Sequence, residues 1–361
     1  MSNDDIDIVS LSLPKPKQDS VLVNYVLSSL PISLVHKLRD IGIINVLNDI
    51  LVSFIGLGLM FTKPSLLLEF LTLSKRIKVC KYGKAKQKIL EVFDTNINEN
   101  KNKSNDVLLF VHGGAWGSGR PWKYRLISSG LGILLHCKSC VVIGYSVYPY
   151  GIIAEQACSI YESIKYIKDN EKAIFNNDNL NYILCGHSSG ANIGALAILN
   201  SIENRDKVKL VDTFIGLSGV YDIENHYKWE SGRGVHEISP MKPAACDVNN
   251  FYKCSPSILL QRNILTVFGS NSNDNHEIYE QEVKRLFPFT VLAHGIQDDV
   301  VPYTSTKELS EQLNNKNVPY ELIYFNGDHG EPIIDMMKKE HTAFKTKISN
   351  FWFRHKKLNI C

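Results

Sequence analysis

The feature that most constrains this chain is a glycine-flanked turn between an apolar, strand-like run and a helix-like run of small residues. The turn is GHSSG (186–190), preceded by YILC and followed by ANIGALAIL. A G-x-S-x-G match is expected about 0.1 times by chance in a chain of this length, before any flanking structure is required. Between a strand and a helix, such a turn strains the backbone and projects the serine hydroxyl into a cleft. We therefore interpret Ser188 as a candidate nucleophile, with a serine-rich helix start as the alternative.

From residue 76 onward, short β-branched runs alternate with segments of helical length. This alternation is typical of an α/β fold with a mainly parallel sheet flanked by helices. We predict one domain over residues 76–361, preceded by an apolar helical segment at residues 1–75. The polar stretch at 220–287 is too long for a simple connection and predicts a lid or insertion. The predicted strands are 77–82, 88–94, 107–112, 141–146, 181–186, 212–219, 289–295 and 320–325, and the predicted helices lie near 122–136, 153–169, 304–316 and 331–354 and after Ser188.

Charge and cysteine content exclude several classes of protein. Lys and Arg number 40 against 37 Asp and Glu, a formal net charge of +3, so nucleic acid is not expected as a partner. The eight cysteines are thinly spread, which favours a reduced, intracellular compartment. Cys137 and Cys140 form a lone CxxC without a second pair at zinc spacing, so no metal site is predicted. The first ten residues do not resemble a signal sequence, and secretion is not expected.

The apolar run Ile41–Phe61 is long enough to span a bilayer but carries polar side chains, among them Asp49. Its 13 Ile, Leu, Val and Phe residues contribute roughly −4 to −8 kcal/mol to insertion, against about +3 kcal/mol for Asp49 and a further penalty for two asparagines. Two interpretations stay open. Residues 41–75 either lie in a membrane surface and are not needed for chemistry, or form helices packed on the domain that follows.

Backbone amides for a second functional element are predicted at HGG (112–114), directly after the apolar run VLLFV. Glycines at a strand end leave amides free to bind a carbonyl oxygen. The amides of Gly113 and Gly114, with that of Ser189, would form an oxyanion hole for the charge that develops during acyl transfer. A tight loop without chemistry is the alternative.

A serine hydroxyl needs a base, and in an α/β hydrolase an acid and then a histidine follow the nucleophile along the chain. Asp298 lies in HGIQDDVVP after one predicted strand, and His329 lies in NGDHGEP after the next. We prefer Asp298 to the adjacent Asp299, which should face another way. The remaining candidate histidines, which are His187, His226, His236 and His294, are interpreted as packing or surface residues.

With these motifs in order, the sequence resembles the α/β-hydrolase esterases, and within them the isoprenylcysteine methylesterase-like group, with kynurenine formamidases and related carboxylesterases nearby. The resemblance covers roughly residues 76–350 and departs from the group at 261–287. It implies that Ser188, Asp298 and His329 are nucleophile, acid and base, and that Gly113, Gly114 and Ser189 are the oxyanion donors. The motifs that carry it are Tyr82-Gly83, HGGAWGSG (112–119), GHSSGA (186–191), GLSGVYDI (216–223) and HGIQDDVVP (294–302).

The resemblance implies a serine esterase that works through an acyl-enzyme without a metal or organic cofactor. The favoured substrate is a prenylcysteine methyl ester. The alternatives are a formamidase or short-chain carboxylesterase and, in a different class, a catalytically idle binding protein with the hydrolase fold. The apolar N-terminal segment is similar to the membrane-associated N-terminus of the plant methylesterases, which implies a location at the endoplasmic reticulum or Golgi membrane, with the cytoplasm as the alternative. Oligomeric state is not predicted.

Overall fold

The computed structural model describes residues 14–16, 30–95, 104–263, 276–338 and 340–358. Residues 96–103, in the polar stretch 95–106 predicted as a surface loop, and residues 264–275, in the predicted insertion, lie outside the described residues. The first ten residues, on which the expectation about secretion rests, lie outside them as well.

A single eight-stranded sheet, in the spatial order β1-β2-β4-β3-β5-β6-β7-β8, runs through the described part of the chain. β1 and β2 pair antiparallel, and β2 is antiparallel to β4, whereas all pairs from β4 to β8 are parallel. The predicted α/β class with a mainly parallel sheet is confirmed. The strands are β1 (Lys78–Lys81), β2 (Ile89–Asp94), β3 (Asp106–Val111), β4 (Ser139–Ile143), β5 (Asn181–His187), β6 (Thr213–Leu217), β7 (Phe289–Gly295) and β8 (Tyr320–Phe325).

Helices cover both faces of this sheet, as the fully apolar strands require. Along β3, alternate side chains enter opposite cores: Leu109 contacts the core beneath α5 and α7, and Leu108 the core beneath α4 and α14. The described helices are α1 (Ile32–Asp40), α2 (Ile43–Thr62), α3 (Pro64–Ser74), α4 (Arg125–Leu134), α5 (Ile153–Asp169), α6 (Glu171–Phe175), α7 (Ser189–Glu203), α8 (Ile223–Arg233), α9 (Met241–Ala244), α10 (Pro256–Arg262), α11 (His276–Leu286), α12 (Thr304–Asn315), α13 (Glu331–Met337) and α14 (Ala343–Leu358), with 3₁₀ turns at Pro121–Tyr124 and Val248–Cys254.

The C-terminal segment predicted as one helix, residues 331–354, forms two helices, α13 and α14. The chain is extended at Lys338, where α13 ends. Lys345, in the first turn of α14, donates hydrogen bonds through Nζ to the carbonyl oxygens of Lys338 and Glu340. The lysine thus satisfies carbonyls that the break leaves without helical partners, a tertiary contact that periodicity does not report.

The predicted lid region, residues 220–287, contains α8 to α11 and a 3₁₀ turn. Its first helix lies over the loop after β7, because the indole of Trp229 donates a hydrogen bond to the carbonyl of Asp299 at 3.0 Å. Its last helix, α11, buries Val283 and Leu286 in the main core. The described end of the predicted insertion is therefore part of the folded domain.

Helix α2 contacts the domain through polar side chains. Asn45 donates to the carbonyl of Tyr148 at 3.2 Å, and the carboxylate of Asp49 pairs with Lys123 at 2.7 Å. The charge of Asp49, which opposes a bilayer span, is thus neutralised by Lys123 of the domain. For this face of α2, the contacts favour the interpretation that the helix packs on the domain. No helix among the described residues is both long enough and apolar enough to cross a membrane. Whether residues 1–75 form a separable unit stays a prediction.

Candidate active site

Ser188 lies at the turn between β5 and α7, which we call the serine turn (residues 186–190). Its backbone has φ 56° and ψ −127°, a conformation that L-residues rarely adopt. The flanking glycines allow the turn to form: a Cβ on Gly186 would lie 2.4 Å from the carbonyl oxygen of Gly190, and one on Gly190 would lie 2.3 Å from that of Val111. The strained residue is therefore held by close backbone contacts on both sides, and the Ser188 side chain is half-buried.

The loop after β3, residues 112–119, packs directly against the serine turn, and we call it the HGG loop. A Cβ on Gly113 would lie 2.8 Å from the carbonyl oxygen of His187 and 3.1 Å from Ser188 Cβ. The Gly113 carbonyl accepts hydrogen bonds from His112 Nδ1 at 3.0 Å and from the Tyr124 hydroxyl at 3.3 Å. Because a trans peptide is planar, this carbonyl directs the amide of Gly114 to the opposite side.

The amides predicted as oxyanion donors are those of Gly113, Gly114 and Ser189. Among the described residues, none of these three amides donates a hydrogen bond to another group. Two lie on the HGG loop and the third at the first residue of α7, where helical amides have no intrahelical acceptor. The arrangement leaves donors beside Ser188 that could bind an anionic oxygen.

The structure brings His329 and Asp298 together at the ends of β8 and β7. His329 Nδ1 donates to Asp298 Oδ2 at 2.7 Å, so that in the neutral ring Nε2 is the unprotonated nitrogen. Between the described residues Ser188 and His329 there is no direct hydrogen bond, and contacts of this kind commonly tighten only when substrate binds. The catalytic roles of all three residues remain predictions.

Asp298 is buried and held as a carboxylate. Its Oδ1 accepts from the amides of Val300 and Val301 at 2.9 and 2.8 Å, and its Oδ2 lies 3.2 Å from His294 Nε2 as well as close to His329. Burial alone would raise the pKa of the Asp298 carboxyl, but the two histidines outweigh it and hold the pKa well below its usual range. The acid can therefore stay ionised while it orients the histidine.

Two other carboxylates near His329 have different contacts. Asp299 is exposed, and its carbonyl bonds to the lid. Asp328 Oδ1 accepts from the amides of Gly330 and Glu331 at the start of α13. Of the three carboxylates, Asp298 is the one in contact with the His329 ring.

Two histidines interpreted as packing residues lie in the site. His187 donates through Nε2 to the carbonyl of His329 at 3.0 Å, and the two rings lie 4.8 Å apart. Burial, with a smaller contribution from His329, lowers the pKa of His187 to about 3, which keeps its ring neutral. His294 contacts Asp298 and accepts from the Thr306 hydroxyl through Nδ1 at 2.6 Å. The sequence could have indicated these two histidines only through their positions in GHSSG and HGIQDDVVP, and a motif does not show where a side chain points.

The other candidate histidines and the CxxC lie elsewhere. His226 is buried in α8, with its ring 6.4 Å from that of Trp116, and His236 is half-buried with Nε2 3.2 Å from Glu237. Cys137 and Cys140 are both buried, and burial raises the pKa of the Cys140 thiol to about 12, which disfavours a thiolate ligand. In the part of the chain that the structure describes, no three His, Cys, Asp or Glu side chains are arranged to hold a metal ion.

Two curated plant proteins are similar to this chain. One, from Arabidopsis thaliana, is named probable isoprenylcysteine alpha-carbonyl methylesterase and is 25% identical over 233 residues, 61% of this chain and 50% of its own length. The other, from Oryza sativa subsp. japonica, carries the same enzyme name and is 25% identical over 250 residues, 65% of this chain and 53% of its own length. The chain thus spans about half the length of these relatives.

Two solved structures described as esterases are similar to this chain in fold. Carboxyl esterase 2 from the fungus Tuber melanosporum superposes with a TM-score of 0.57 at 17% identity, covering 78% of this chain and 86% of that chain. Esterase B from Lactobacillus rhamnosis superposes with a TM-score of 0.57 at 12% identity, covering 82% and 92%. At such identities the likeness shows the fold alone, which is that of the α/β hydrolases.

The family comparison extends beyond the fold. The BD-FAE family matches residues 93–313, more than half of the chain. This range includes the HGG loop, Ser188 and Asp298, whereas His329 lies beyond its end. The chain belongs to the BD-FAE family of α/β hydrolases.

Proposed function

We propose that this chain hydrolyses a carboxylic ester through an acyl-enzyme formed on Ser188. The observation that carries the proposal is the position of Ser188, strained at the serine turn and in contact with Gly113 of the HGG loop. Acyl transfer requires free amides beside the serine and a histidine oriented by a carboxylate. Here His329 contacts the buried carboxylate of Asp298 at neighbouring strand ends. The esterase names of the relatives support the same reaction class.

Each group has one role in the proposed reaction. His329 Nε2 takes the proton of the Ser188 hydroxyl as the oxygen attacks the ester carbonyl, while Asp298 stabilises the imidazolium through Nδ1. The amides of Gly113, Gly114 and Ser189 bind the oxygen that becomes negative, each donor being worth about 10² to 10³ in rate. The protonated histidine then gives its proton to the leaving alcohol. Water, activated by the same histidine, releases the acid and restores the serine.

A prenylcysteine methyl ester is the favoured substrate. Its support is the name shared by the two plant relatives, at 25% identity and over about half their length. A formamidase or short-chain carboxylesterase would use the same groups, and an idle binding protein would not need them. Labelling with a fluorophosphonate, followed by a panel of esters that includes farnesylcysteine methyl ester and an N-formyl aryl amine, distinguishes these outcomes. Rapid labelling with no turnover of any ester in the panel would contradict the favoured substrate, and absence of labelling would contradict the serine mechanism.

The proposal includes attachment to a lipid surface through one face of α2. Ile43, Val46, Leu47 and Ile50 recur at helical spacing and are 42 to 60% exposed. Exposed basic residues lie in α1 (Lys37) and at the two ends of α3 (Lys63 and Lys75), and anionic head groups would contribute about 1 kcal/mol for each one near the surface. Arg76 and Lys78 are exposed too, although they also donate to the carbonyls of Asp94 and Ala173. A membrane of the endoplasmic reticulum or Golgi is the location proposed for it.

A further inference from the structure

A polar stripe on the N-terminal helices lies against the outside of the HGG loop. Asn45 and Asp49 lie four residues apart on one side of α2, and Gly42, buried like Asn45, directly precedes the helix. A Cβ on Gly117 of the loop would lie 2.6 Å from Asn45 Nδ2, and a Cβ on Gly42 would lie 2.9 Å from Pro149. The helix is therefore in close contact with the loop and with the segment after β4.

Asp49 makes the charged contact of this stripe. Its Oδ1 accepts from the amide of Gly119 at 3.2 Å and from Lys123 Nζ at 2.7 Å, and Lys123 also donates to the Asp49 carbonyl at 2.9 Å. Arg120 Nε lies 3.9 Å from Oδ2. The Lys123 side chain is 9% exposed and that of Asp49 is 24% exposed, so the pair is screened from solvent far more than a surface ion pair.

The contacts of Asp49 lead to the serine in two short steps. Gly119 has φ +102°, and a Cβ there would lie 2.6 Å from the carbonyl oxygen of Gly113. Tyr124, which follows Lys123 directly, donates its hydroxyl to the same carbonyl. Gly113 in turn packs against Ser188. Asp49 thus contacts Gly119 directly, and it contacts Tyr124 through the neighbouring Lys123. With His112, these groups surround the Gly113 carbonyl and so bear on the direction of the Gly114 amide.

We propose that Asp49 is a positioning residue that fixes the HGG loop from outside and so keeps its amides aligned on the oxyanion. This inference rests on the proposed esterase function and makes α2 part of the catalytic unit, contrary to the expectation that residues 41–75 are not needed for chemistry. Displacement of a preorganised donor by about 1 Å costs on the order of 10² in rate. The effect belongs to the transition state, because the charge on the oxygen develops there.

The test compares Asp49→Ala and Asp49→Asn with wild type in the full chain. The enzyme concentration is taken from fluorophosphonate labelling of Ser188, so that loss of folded protein does not lower the measured kcat. We expect Asp49→Ala to lower kcat for a small soluble ester by about 10- to 100-fold with KM within about twofold. Asp49→Asn keeps an acceptor for the Gly119 amide and should be intermediate. Glu69→Gln, which removes an exposed carboxylate on α3, is the matched control and should leave kcat unchanged.

Inhibition by a boronic acid distinguishes a positioning role of Asp49 from a merely structural one. Its tetrahedral adduct with a serine places an oxygen in the oxyanion site, so its inhibition constant should weaken by the same factor as kcat falls across the variants. The proposal would be overturned if kcat per labelled site is unchanged in both Asp49→Asn and Asp49→Ala. It would also be overturned if these variants raise KM and leave kcat unchanged. If Asp49→Ala does not fold, Asp49→Asn and Lys123→Met decide. A wild-type chain that is neither labelled nor active would overturn the proposed function and this inference with it.

Discussion

The serine turn and helix α2 both contact the HGG loop, but they are built in different ways. The serine turn is local: residues 186–190 join adjacent elements, and its geometry follows from two glycines and one strained residue. The contacts of α2 are remote, since Asp49 and Lys123 are 74 residues apart. A local motif can be recognised in a sequence. A contact between residues far apart in the chain leaves little trace in the sequence, even where it packs as closely against the HGG loop.

The two regions also differ in how they use their surfaces. In the serine turn, Gly186 and Gly190 are in close contact with backbone atoms, and Ser188 is half-buried. Between Ile43 and Ile50, the described side chains of α2 place Asn45 and Asp49 against the domain and apolar residues outward, the reverse of an ordinary amphipathic helix on a globular protein.

The strongest test of the local region is Ser188→Ala. We expect loss of activity on the order of 10⁶ and loss of fluorophosphonate labelling, because the attacking oxygen is gone while the fold is kept. Ser189→Ala is the matched control, since the proposed role of Ser189 resides in its amide. If the folded Ser188→Ala protein is still labelled, the nucleophile is another residue and the serine turn has no catalytic role.

Asp298→Asn tests whether the carboxylate in the loop after β7, far from Ser188 in the sequence, is as necessary for activity as the serine turn. An amide cannot hold His329 with Nε2 unprotonated as the carboxylate does, and we expect kcat to fall on the order of 10⁴. The control is Asp299→Asn, a change to the adjacent, exposed carboxylate, which should leave kcat within about twofold. Equal losses in the two variants, measured with the same ester, would contradict the assignment of the acid.

The outward face of α2 is tested with the double variant Leu47→Glu/Ile50→Glu. Burial of one such side chain is worth about 1.5 to 3 kcal/mol, so affinity for phosphatidylserine-containing vesicles should fall at least about tenfold. Hydrolysis of a soluble ester should not change. Val208→Glu places a charge at an equally exposed apolar residue in the loop after α7 and should sediment with vesicles like wild type. If the wild-type protein stays in the supernatant and does not sediment with the vesicles, the outward face of α2 does not bind lipid.

The smallest expected effect comes from a pair of glycine substitutions that contrasts the two regions directly. Gly58→Ala in α2 should raise the free energy of unfolding by about 0.5 to 1 kcal/mol, because no atom of the described residues lies within 4 Å of the added Cβ and alanine favours the helix. Gly186→Ala in the serine turn should instead destabilise the protein strongly through its clash with Gly190. Urea unfolding monitored by circular dichroism measures both. A stabilised Gly186→Ala protein would mean that the turn is not enclosed as described.

Much of the fold could be predicted because its signals are local. All eight strands lie within a few residues of their predicted positions, since each is a short apolar run bounded by turn residues. The sequence likewise placed Asp298 and His329 after two successive strands, and the structure has them in the loops after β7 and β8. The break between α13 and α14 was not predicted, because a lysine seven residues along the chain satisfies the carbonyls that make it possible.

The candidate site divides in the same way. Ser188 and the glycines of the HGG loop are recognisable because their conformations impose residue types, small or glycine, at fixed spacing. The roles of His187 and His294 depend on where their rings point, and a sequence does not carry that direction. Asn45, Asn48 and Asp49 in a largely apolar run left open whether the segment lies in a membrane surface or packs on the domain.

The sequence by itself determined the alternation of strands and helices, the strained turn at Ser188 and the loops that carry the candidate acid and base. These features depend on backbone conformations that neighbouring residues permit or forbid. The contact between His329 and Asp298, preferred from the order of the motifs, forms only in the tertiary structure, which alone decided that Asp49 meets Lys123 and Gly119. Such pairings depend on the twist and register of a sheet that assembles from the whole chain, and on the low-dielectric contacts that form only after that sheet is covered.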